Sequence, residues 1–174
     1  GTGTNLIDWA VLNTGSIEVQ TGGLLFNEGG SIGGSVSLAT NAVLLLENGV
    51  FSMLNFGSAT GGGSLIVSAT ANVPSGSPYN AQAMVELLDG GGLGGGSGVF
   101  AVNGPFAIRG GTVNDGGSLD LNGAGTVTGG AQMIGTVNVN GTVVHTAGQH
   151  VGHGSFNPRI NIRSNGIYSI EMDG

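Results

Sequence analysis

The chain has 174 residues, of which 38 are glycine, 39% are hydrophobic and only 7% are charged. The glycines follow no Gly-x-y period and there are only 4 prolines, which excludes collagen, and the low charge argues against disorder. Because the net charge is −7 and three arginines are the only cations, binding to nucleic acid or to an anionic membrane is not expected. No apolar run approaches the ~20 residues of a membrane helix, so we expect no membrane insertion.

Residues 1 to 15 contain an apolar cluster, which predicts either the first turn of a repeat structure or a cap over its open end. Its members are Leu6, Ile7, Trp9, Val11 and Leu12. Trp9, the only tryptophan, could stack on a carbohydrate ring. We favour an apolar lid, because a large aromatic side chain covers apolar area well.

A repeat becomes visible in residues 16 to 49, where LLFNEGG (24–30) and VLLLENG (43–49) align with an offset of 19 residues. The alignment gives Glu28 and Glu47 matching positions, so their backbones are expected about one strand spacing, ~4.8 Å, apart. Carboxylates ~5–5.5 Å apart suit a retaining glycosidase, and such a pair could also bind a cation weakly. Both glutamates lie at glycine-rich corners, so we favour a solvated surface without catalytic function.

Residues 50 to 98 are less regular. Strands are predicted at Phe51 to Leu54 and at Ser64 to Val67, where β-branched and large apolar residues are frequent. The stretch SPYNAQAMVELLDGG (77–91) predicts either a short helix, with serine and proline at its start, or a strand at Met84 to Leu88. We favour the strand, with Pro74 to Asn80 as a protruding loop.

Residues 99 to 154 contain three consecutive copies of one unit of 18 to 19 residues. Each copy opens with an alternating strand, continues with an Asn-Gly pair and ends a second strand in a small-residue turn. Stacking the copies predicts two inward columns, Phe100-Leu119-Val137 and Val102-Leu121-Val139. The Asn-Gly pairs, Asn103-Gly104, Asn122-Gly123 and Asn140-Gly141, are predicted to turn the chain through left-handed dihedrals. Hairpins would not explain the copying of whole units, so the pattern predicts the coils of a β-solenoid.

Two patterns in the sequence resemble ligand sites. The histidines His145, His150 and His153 could bind a metal, but residues three apart on a strand point to opposite sides. His145 aligns with Ile108 and Val127, which predicts a buried histidine. GGGLGGGSG (90–98) has the glycines of a phosphate-binding loop, but a chain without lysine cannot supply the lysine of that motif. The outward positions Ala101, Asp120 and Asn138 share no chemistry, which argues against a ligand-binding groove.

The segments NTGSIEVQTGGLLFNEGGSIGGSVSLATNAVLLLENG (13–49) and VELLDGGGLGGGSGVFAVNG (85–104) carry a resemblance. Their pattern, N-[ST]-G-[ST]-I-x-V-x-x-G-x-L-x-F followed by G-x-[FV]-x-[VL]-x-G, resembles the repeats of bacterial secreted and cell-surface β-strand-repeat proteins. This is the autotransporter-passenger and filamentous-haemagglutinin-like group, and the resemblance covers most of residues 13 to 145. It implies a right-handed parallel β-helix rod and implies no functional residue.

The sequence therefore predicts an all-β fold, a single-stranded right-handed parallel β-helix of 18 to 20 residues per coil with eight or nine coils. We expect one domain, 1–174, that is a fragment of a longer rod or one unit of a filament. The expected function is a non-enzymatic, extracellular or cell-surface structural or adhesive rod, without catalytic, metal or cofactor-binding residues. A polysaccharide-binding or polysaccharide-cleaving β-helix, such as a lyase or phage tailspike, is the alternative.

The ends of the rod determine its expected partners. The closing segment INIRSNGIYSIEMDG (160–174) predicts two strands around Asn165-Gly166, with Ile167, Tyr168 and Ile170 in the last one. A terminal coil exposes unpaired backbone and apolar core unless something covers it. We expect neighbouring solenoid segments or further copies of the chain to do so end to end, with surface glycans as other partners.

Overall fold

A computed structural model describes residues 3–54, 57–76, 78–114, 116–146 and 158–171, and every regular element in these ranges is a short β-strand. The first twelve strands are β1 (Thr4–Ile7), β2 (Val11–Asn13), β3 (Ser16–Val19), β4 (Gly23–Phe26), β5 (Gly30–Ile32), β6 (Ser35–Leu38), β7 (Val43–Leu46), β8 (Val50–Met53), β9 (Ser58–Gly61), β10 (Ser64–Val67), β11 (Thr70–Asn72) and β12 (Tyr79–Ala81). The others are β13 (Met84–Leu87), β14 (Gly92–Gly94), β15 (Val99–Val102), β16 (Phe106–Ile108), β17 (Thr112–Asn114), β18 (Ser118–Leu121), β19 (Ala124–Val127), β20 (Gln132–Met133), β21 (Thr136–Val139), β22 (Thr142–His145), β23 (Arg159–Ile162) and β24 (Ile167–Ile170).

The strands form three parallel sheets. The chain adds one strand to each sheet in turn, so strands that pair come from successive coils. The first sheet has nine strands in the order β1-β4-β7-β10-β13-β16-β19-β22-β24. The second has seven, β2-β5-β8-β11-β14-β17-β20, and the third has eight, β23-β21-β18-β15-β12-β9-β6-β3. Three strands, one from each sheet, make one coil, and about seven turns of roughly 20 residues follow one another. The predicted β-solenoid is confirmed, but with about seven turns and not the eight or nine expected; its right hand, taken from the family resemblance, stays a prediction.

The core consists of columns, which are residues at one position of successive coils. Phe100 pairs with Leu119 and Leu119 with Val137, while Val102, Leu121 and Val139 form the next inward column, as the sequence predicted. All six side chains are buried. Each such side chain contributes roughly 1.5–3 kcal/mol on burial, and only stacking closes both faces of a coil.

The glycines of the Asn-Gly corners do not have the backbone conformation that was predicted. Gly104, Gly123 and Gly141 are absent from the glycines that have a positive φ, so the corners do not need left-handed dihedrals. Glycine is needed there because the coils approach closely: a Cβ on Gly123 would overlap the carbonyl oxygen of Gly104, and one on Gly141 would overlap that of Gly123. The pairs do lie at corners as predicted, but glycine is needed there because neighbouring coils are in contact.

The irregular middle of the chain also forms coils. β13 confirms the strand that was favoured over a helix, and β8 and β10 confirm the other two predicted strands. The expected loop from Pro74 to Asn80 is shorter than predicted, because β12 already begins at Tyr79. Tyr79 is fully buried, and its ring occupies the space beside Gly57, which has no side chain.

The expected lid over the first coil is wrong for Trp9. Leu6 and Ile7 belong to β1, so the amino-terminal cluster forms a first coil. Trp9 is 70% exposed and Leu12 is 79% exposed, so neither covers the core. The apolar side chains of this cluster that do contact the core are Ile7 and Val11.

Candidate functional site

A groove of about 590 Å³ lies along the first two corners between the third and the first sheet. Its polar edge includes Thr21, Thr40 and Asn41, and its apolar wall includes Val43 and Leu45. Asn41 is the one non-glycine residue among the described residues with a positive φ, 65°. The groove contains no carboxylate, arginine or aromatic side chain, which are the groups that a polysaccharide-cleaving cleft uses.

A smaller groove of about 320 Å³ adjoins this one and shares Thr21, Gly23 and Leu24 with it. Glu18 is its one ionisable residue, and Oε1 of this side chain accepts a hydrogen bond of 3.2 Å from Nε2 of Gln20. A general acid and a base, or a nucleophile, would require a second titratable group close to Glu18. The lining of the smaller groove supplies none.

The apolar wall continues outside the groove as a column that the sequence analysis missed. Leu6, Leu25, Leu45 and Ile66 follow one another in register on the outer face of the first sheet. Glu86 is the next residue of this column, and its carboxylate forms an ion pair with the guanidinium of Arg109. The sequence run VLLLE (43–47) contained this pattern: Leu45 faces outward, and Leu44 and Leu46 on either side of it face inward.

Asparagine side chains form a ladder at the corner that follows the third sheet. Nδ2 of Asn122 donates to Oδ1 of Asn103, and Nδ2 of Asn140 donates to Oδ1 of Asn122, both at 2.7 Å. We call these three residues the corner column. Asn122, the middle member, donates to one neighbour and accepts from the other, an arrangement typical of stacked asparagines in parallel sheets.

The outer face of the third sheet carries a second ladder, so the expectation that its outward positions share no chemistry is wrong. Nδ2 of Asn138 donates to Oδ1 of Asp120 at 2.6 Å, and Nδ2 of Asn161 donates to Oδ1 of Asn138 at 2.9 Å. Ala101 precedes them in register and is buried. These side chains form hydrogen bonds with one another, so they link neighbouring coils of the rod.

Glu28 and Glu47 do not form the predicted pair. Phe26 pairs with Leu46, one residue further along than the 19-residue alignment required. Beyond these strands the offset grows to 21 residues, and Nδ2 of Asn48 donates to Oδ1 of Asn27 at 2.5 Å. At this corner the backbone of Glu28 lies against Gly49, two residues beyond Glu47, so the two glutamates do not occupy one column. Both are exposed, and the expectation of matching positions is wrong.

His145 is buried, as its alignment with Ile108 and Val127 predicted. The three residues are in register, and His145 is only 4% exposed. Its ring meets that of Tyr168 edge to face, with the centroids 6.2 Å apart. His150 and His153 lie outside the described residues. Within the described ranges, no group of three or more His, Cys, Asp or Glu residues could hold a metal ion.

The glycine-rich stretch 90–98 is part of the solenoid. Gly92–Gly94 form β14 in the second sheet, with Leu93 buried in the core. Gly90 before this strand, Gly94 at its end and Gly95 and Gly96 after it have positive φ, where the chain turns. A phosphate-binding loop places its glycines before a helix, whereas here the next element is strand β15.

Comparison with known proteins adds no relative: no family model, no curated protein and no solved structure matches the chain. The resemblance to bacterial β-strand-repeat proteins therefore rests on its sequence pattern and on the β-solenoid architecture. In the part of the chain that the structure describes, no helix is long and apolar enough to cross a bilayer.

Proposed function

We propose that this chain is a non-enzymatic structural β-solenoid, a rod segment at the cell surface or outside the cell whose two ends join further β-coils. The joined coils come from the same polypeptide or from further copies of the chain. The side of the rod provides length, stiffness and a repetitive surface for adhesion, with surface glycans as targets. The family resemblance supports the extracellular and bacterial part of the proposal.

The observation that carries the proposal is the exposure of inward positions at the last coil. Val139 is fully buried, but Ile162, the next residue of its column, is 56% exposed. Ile170 follows the buried His145 in the first sheet and is 65% exposed. Apolar side chains at inward positions indicate that another coil belongs over them.

The first coil supports the same proposal. Ile17 occupies an inward position of the third sheet and is only half-buried, whereas Val36, its partner in the second coil, is fully buried. The outer edges of β1 and β3 have no neighbouring strand among the described residues. Unpaired edges of parallel strands are templates for pairing with another chain.

Charge also favours an end-to-end arrangement. The first three coils contain four carboxylates and no cation among the described residues: Asp8, Glu18, Glu28 and Glu47. Two of the chain's three arginines, Arg159 and Arg163, lie in or next to β23 in the last coil, and the sequence from there to its end also contains Glu171 and Asp173. Where head meets tail, Arg159 and Arg163 would face the carboxylates of the first coils, and such pairing of opposite charges favours this orientation.

The lining of the grooves favours this function over the polysaccharide-active alternative. A β-helix that cleaves or binds a polysaccharide needs convergent charged or aromatic groups along one sheet face. The larger groove has none and the smaller one has Glu18 alone. Incubation with a panel of bacterial and plant polysaccharides tests this part: depolymerisation that Glu28→Gln or Glu47→Gln abolishes would overturn it.

Sedimentation velocity over a wide concentration range tests the proposal about the ends. We expect the chain to form elongated species whose length grows with protein concentration. Ile162→Lys places a charge at the open end and should reduce this growth, because charged edge residues oppose strand pairing. Thr126→Lys, on the exposed outer face of an interior coil, is the matched control and should leave it unchanged.

A chain that stays monomeric at the highest concentration, with the amides of residues 167–171 well protected from hydrogen exchange, would cover its own last coil. The proposal that further coils belong there would then be wrong.

A further inference from the structure

Five Asn-Gly pairs occur in the chain, and this dipeptide has its own chemistry. They are Asn48-Gly49, Asn103-Gly104, Asn122-Gly123, Asn140-Gly141 and Asn165-Gly166. The glycine nitrogen can attack Cγ of the asparagine side chain, which forms a cyclic imide and releases ammonia. Water then opens the ring to aspartate or isoaspartate, so one water enters for each ammonia that leaves. The reaction needs a free glycine N–H and a side-chain amide that can turn towards it.

The corner column restrains both reacting groups. The glycine nitrogens donate to carbonyl oxygens of the preceding coil: Gly123 N to Val102 O at 3.1 Å and Gly141 N to Leu121 O at 2.9 Å. Gly104 N donates in the same way to Ala81 O at 3.1 Å. The amides of Asn122 and Asn140 are held by their neighbours in the column. Reaction therefore requires the corner to open and break its hydrogen bonds to the preceding coil, which is a rare event.

Asn165-Gly166 is restrained in part. Gly166 N donates to Arg163 O at 2.9 Å across a tight turn, so its N–H is occupied. The side chain of Asn165 is exposed. This pair must open one turn, without disturbing the sheets, before the nitrogen can attack.

Asn48-Gly49 differs from the other four pairs. The carbonyl of Gly49 accepts from Thr70 N at 3.3 Å, but among the described residues no carbonyl accepts from its N–H. Both residues are exposed, and Gly49 has a φ of +81° in the corner between β7 and β8. One hydrogen bond restrains the amide, from Nδ2 of Asn48 to Oδ1 of Asn27.

We propose that Asn48 is a modification site, at which the chain deamidates spontaneously with water as the co-reactant, ahead of its four other Asn-Gly pairs. The product replaces a donor with a carboxylate that faces Oδ1 of Asn27, so both facing groups are acceptors. It also adds negative charge beside Glu47, in coils that contain no cation among the described residues. The Asp8-Asn27-Asn48 ladder then loses its last bond, and this corner is weakened.

The test uses the full chain at mildly alkaline pH in heavy-oxygen water, so that oxygen uptake marks only conversions that occur during the incubation. Peptide mapping by mass spectrometry follows all five pairs at successive times. A parallel sample in denaturant is the internal control, because the five dipeptides are alike once the fold is removed. There we expect comparable rates at all five.

In the folded chain we expect Asn48 to convert at least about tenfold faster than Asn103, Asn122 or Asn140, which corresponds to about 1.4 kcal/mol in activation free energy. Asn165 should lie between them. Asn48→Gln, which keeps an amide but disfavours the five-membered ring, should remove the fast conversion. Asn48 reacting no faster than the corner column, or more slowly than Asn165, would overturn the proposal.

Discussion

Nδ2 of Asn122 donates a hydrogen bond of 2.7 Å to Oδ1 of Asn103, one coil away, while the glycine after each asparagine lets the two coils approach. The Asn-Gly pair thus has two functions at one corner. The asparagine links neighbouring coils through its amide, and the glycine leaves the space that this contact requires. Because the amides all point the same way, each bond polarises the next.

Replacing the middle member of the corner column tests the ladder. Asn122→Asp keeps an oxygen that accepts from Asn140 but loses the donor to Asn103, so one hydrogen bond is lost. We expect the free energy of unfolding to fall by about 0.5–1.5 kcal/mol. Urea denaturation at neutral pH measures it, and Asn165→Asp, an exposed position outside the column, should change it by less than about 0.5 kcal/mol. Equal effects of the two substitutions would mean that the column contributes nothing.

The inward and outward positions of β18 give a second test. Leu121 is buried between Val102 and Val139, so Leu121→Asp places an unpaired carboxylate in the core and should cost more than about 3 kcal/mol. Asp120→Asn keeps the oxygen that accepts from Asn138 and Ser118, and its effect should stay below about 0.5 kcal/mol. Thermal melts compare the two variants. Similar melting temperatures would contradict this assignment of the strand's faces.

The regular part of the chain was predictable because several weak patterns agree there. In residues 99–146 the alternation of Phe100 and Val102, the Asn-Gly pair and the repeat length all require the same coil. The inward columns were therefore placed correctly. The ladder of Asp120 and Asn138 was missed, since an aspartate and an asparagine look unrelated until register brings Oδ1 and Nδ2 together.

The amino-terminal coils show why the rest was less predictable. LLFNEGG and VLLLENG match best by identity at an offset that is wrong by one residue. Inward and outward positions are both apolar there, Leu44 and Leu46 on one side and Leu45 on the other. Without alternation the sequence does not specify the register.

Glycine substitutions separate two reasons why the fold needs glycine, which are space for the neighbouring coil and a positive φ. A Cβ on Gly123 would overlap the carbonyl of Gly104, so Gly123→Ala should lower the free energy of unfolding by about 1–3 kcal/mol. Gly130 has open space and no positive φ, so Gly130→Ala should raise it by about 0.4–1 kcal/mol through the unfolded chain.

Gly90 also has open space, but its φ is +81°. Gly90→Ala should therefore destabilise the fold by backbone strain alone. Chemical denaturation of the three variants ranks them, and a stable Gly123→Ala protein would show that the coils can move apart at this corner.

Alkaline titration tests the burial of Tyr79. Burial raises the pKa of its hydroxyl well above the ordinary value of 10.0, and no described residue forms a hydrogen bond with that hydroxyl. The folded chain therefore keeps this proton at pH values where the unfolded chain has lost it. Below about pH 10 the ionisation of Tyr79 does not change the free energy of unfolding. Above it, the free energy of unfolding decreases by about 1.4 kcal/mol per pH unit.

Tyr79→Phe should remove this slope, and at neutral pH it should leave stability unchanged or raise it, because a buried hydroxyl without a partner only costs desolvation.

Tyr168, the other tyrosine, is partly buried and its pKa is raised by that burial, so a smaller slope should remain. Unfolding measured from pH 8 to 11 compares the two proteins, with the pH range set by the tyrosine pKa of about 10. Tyrosinate absorbance in the native protein should come from Tyr168 first. A Tyr79→Phe variant that loses stability above pH 10 as steeply as the parent would show that Tyr79 ionises without unfolding the coil.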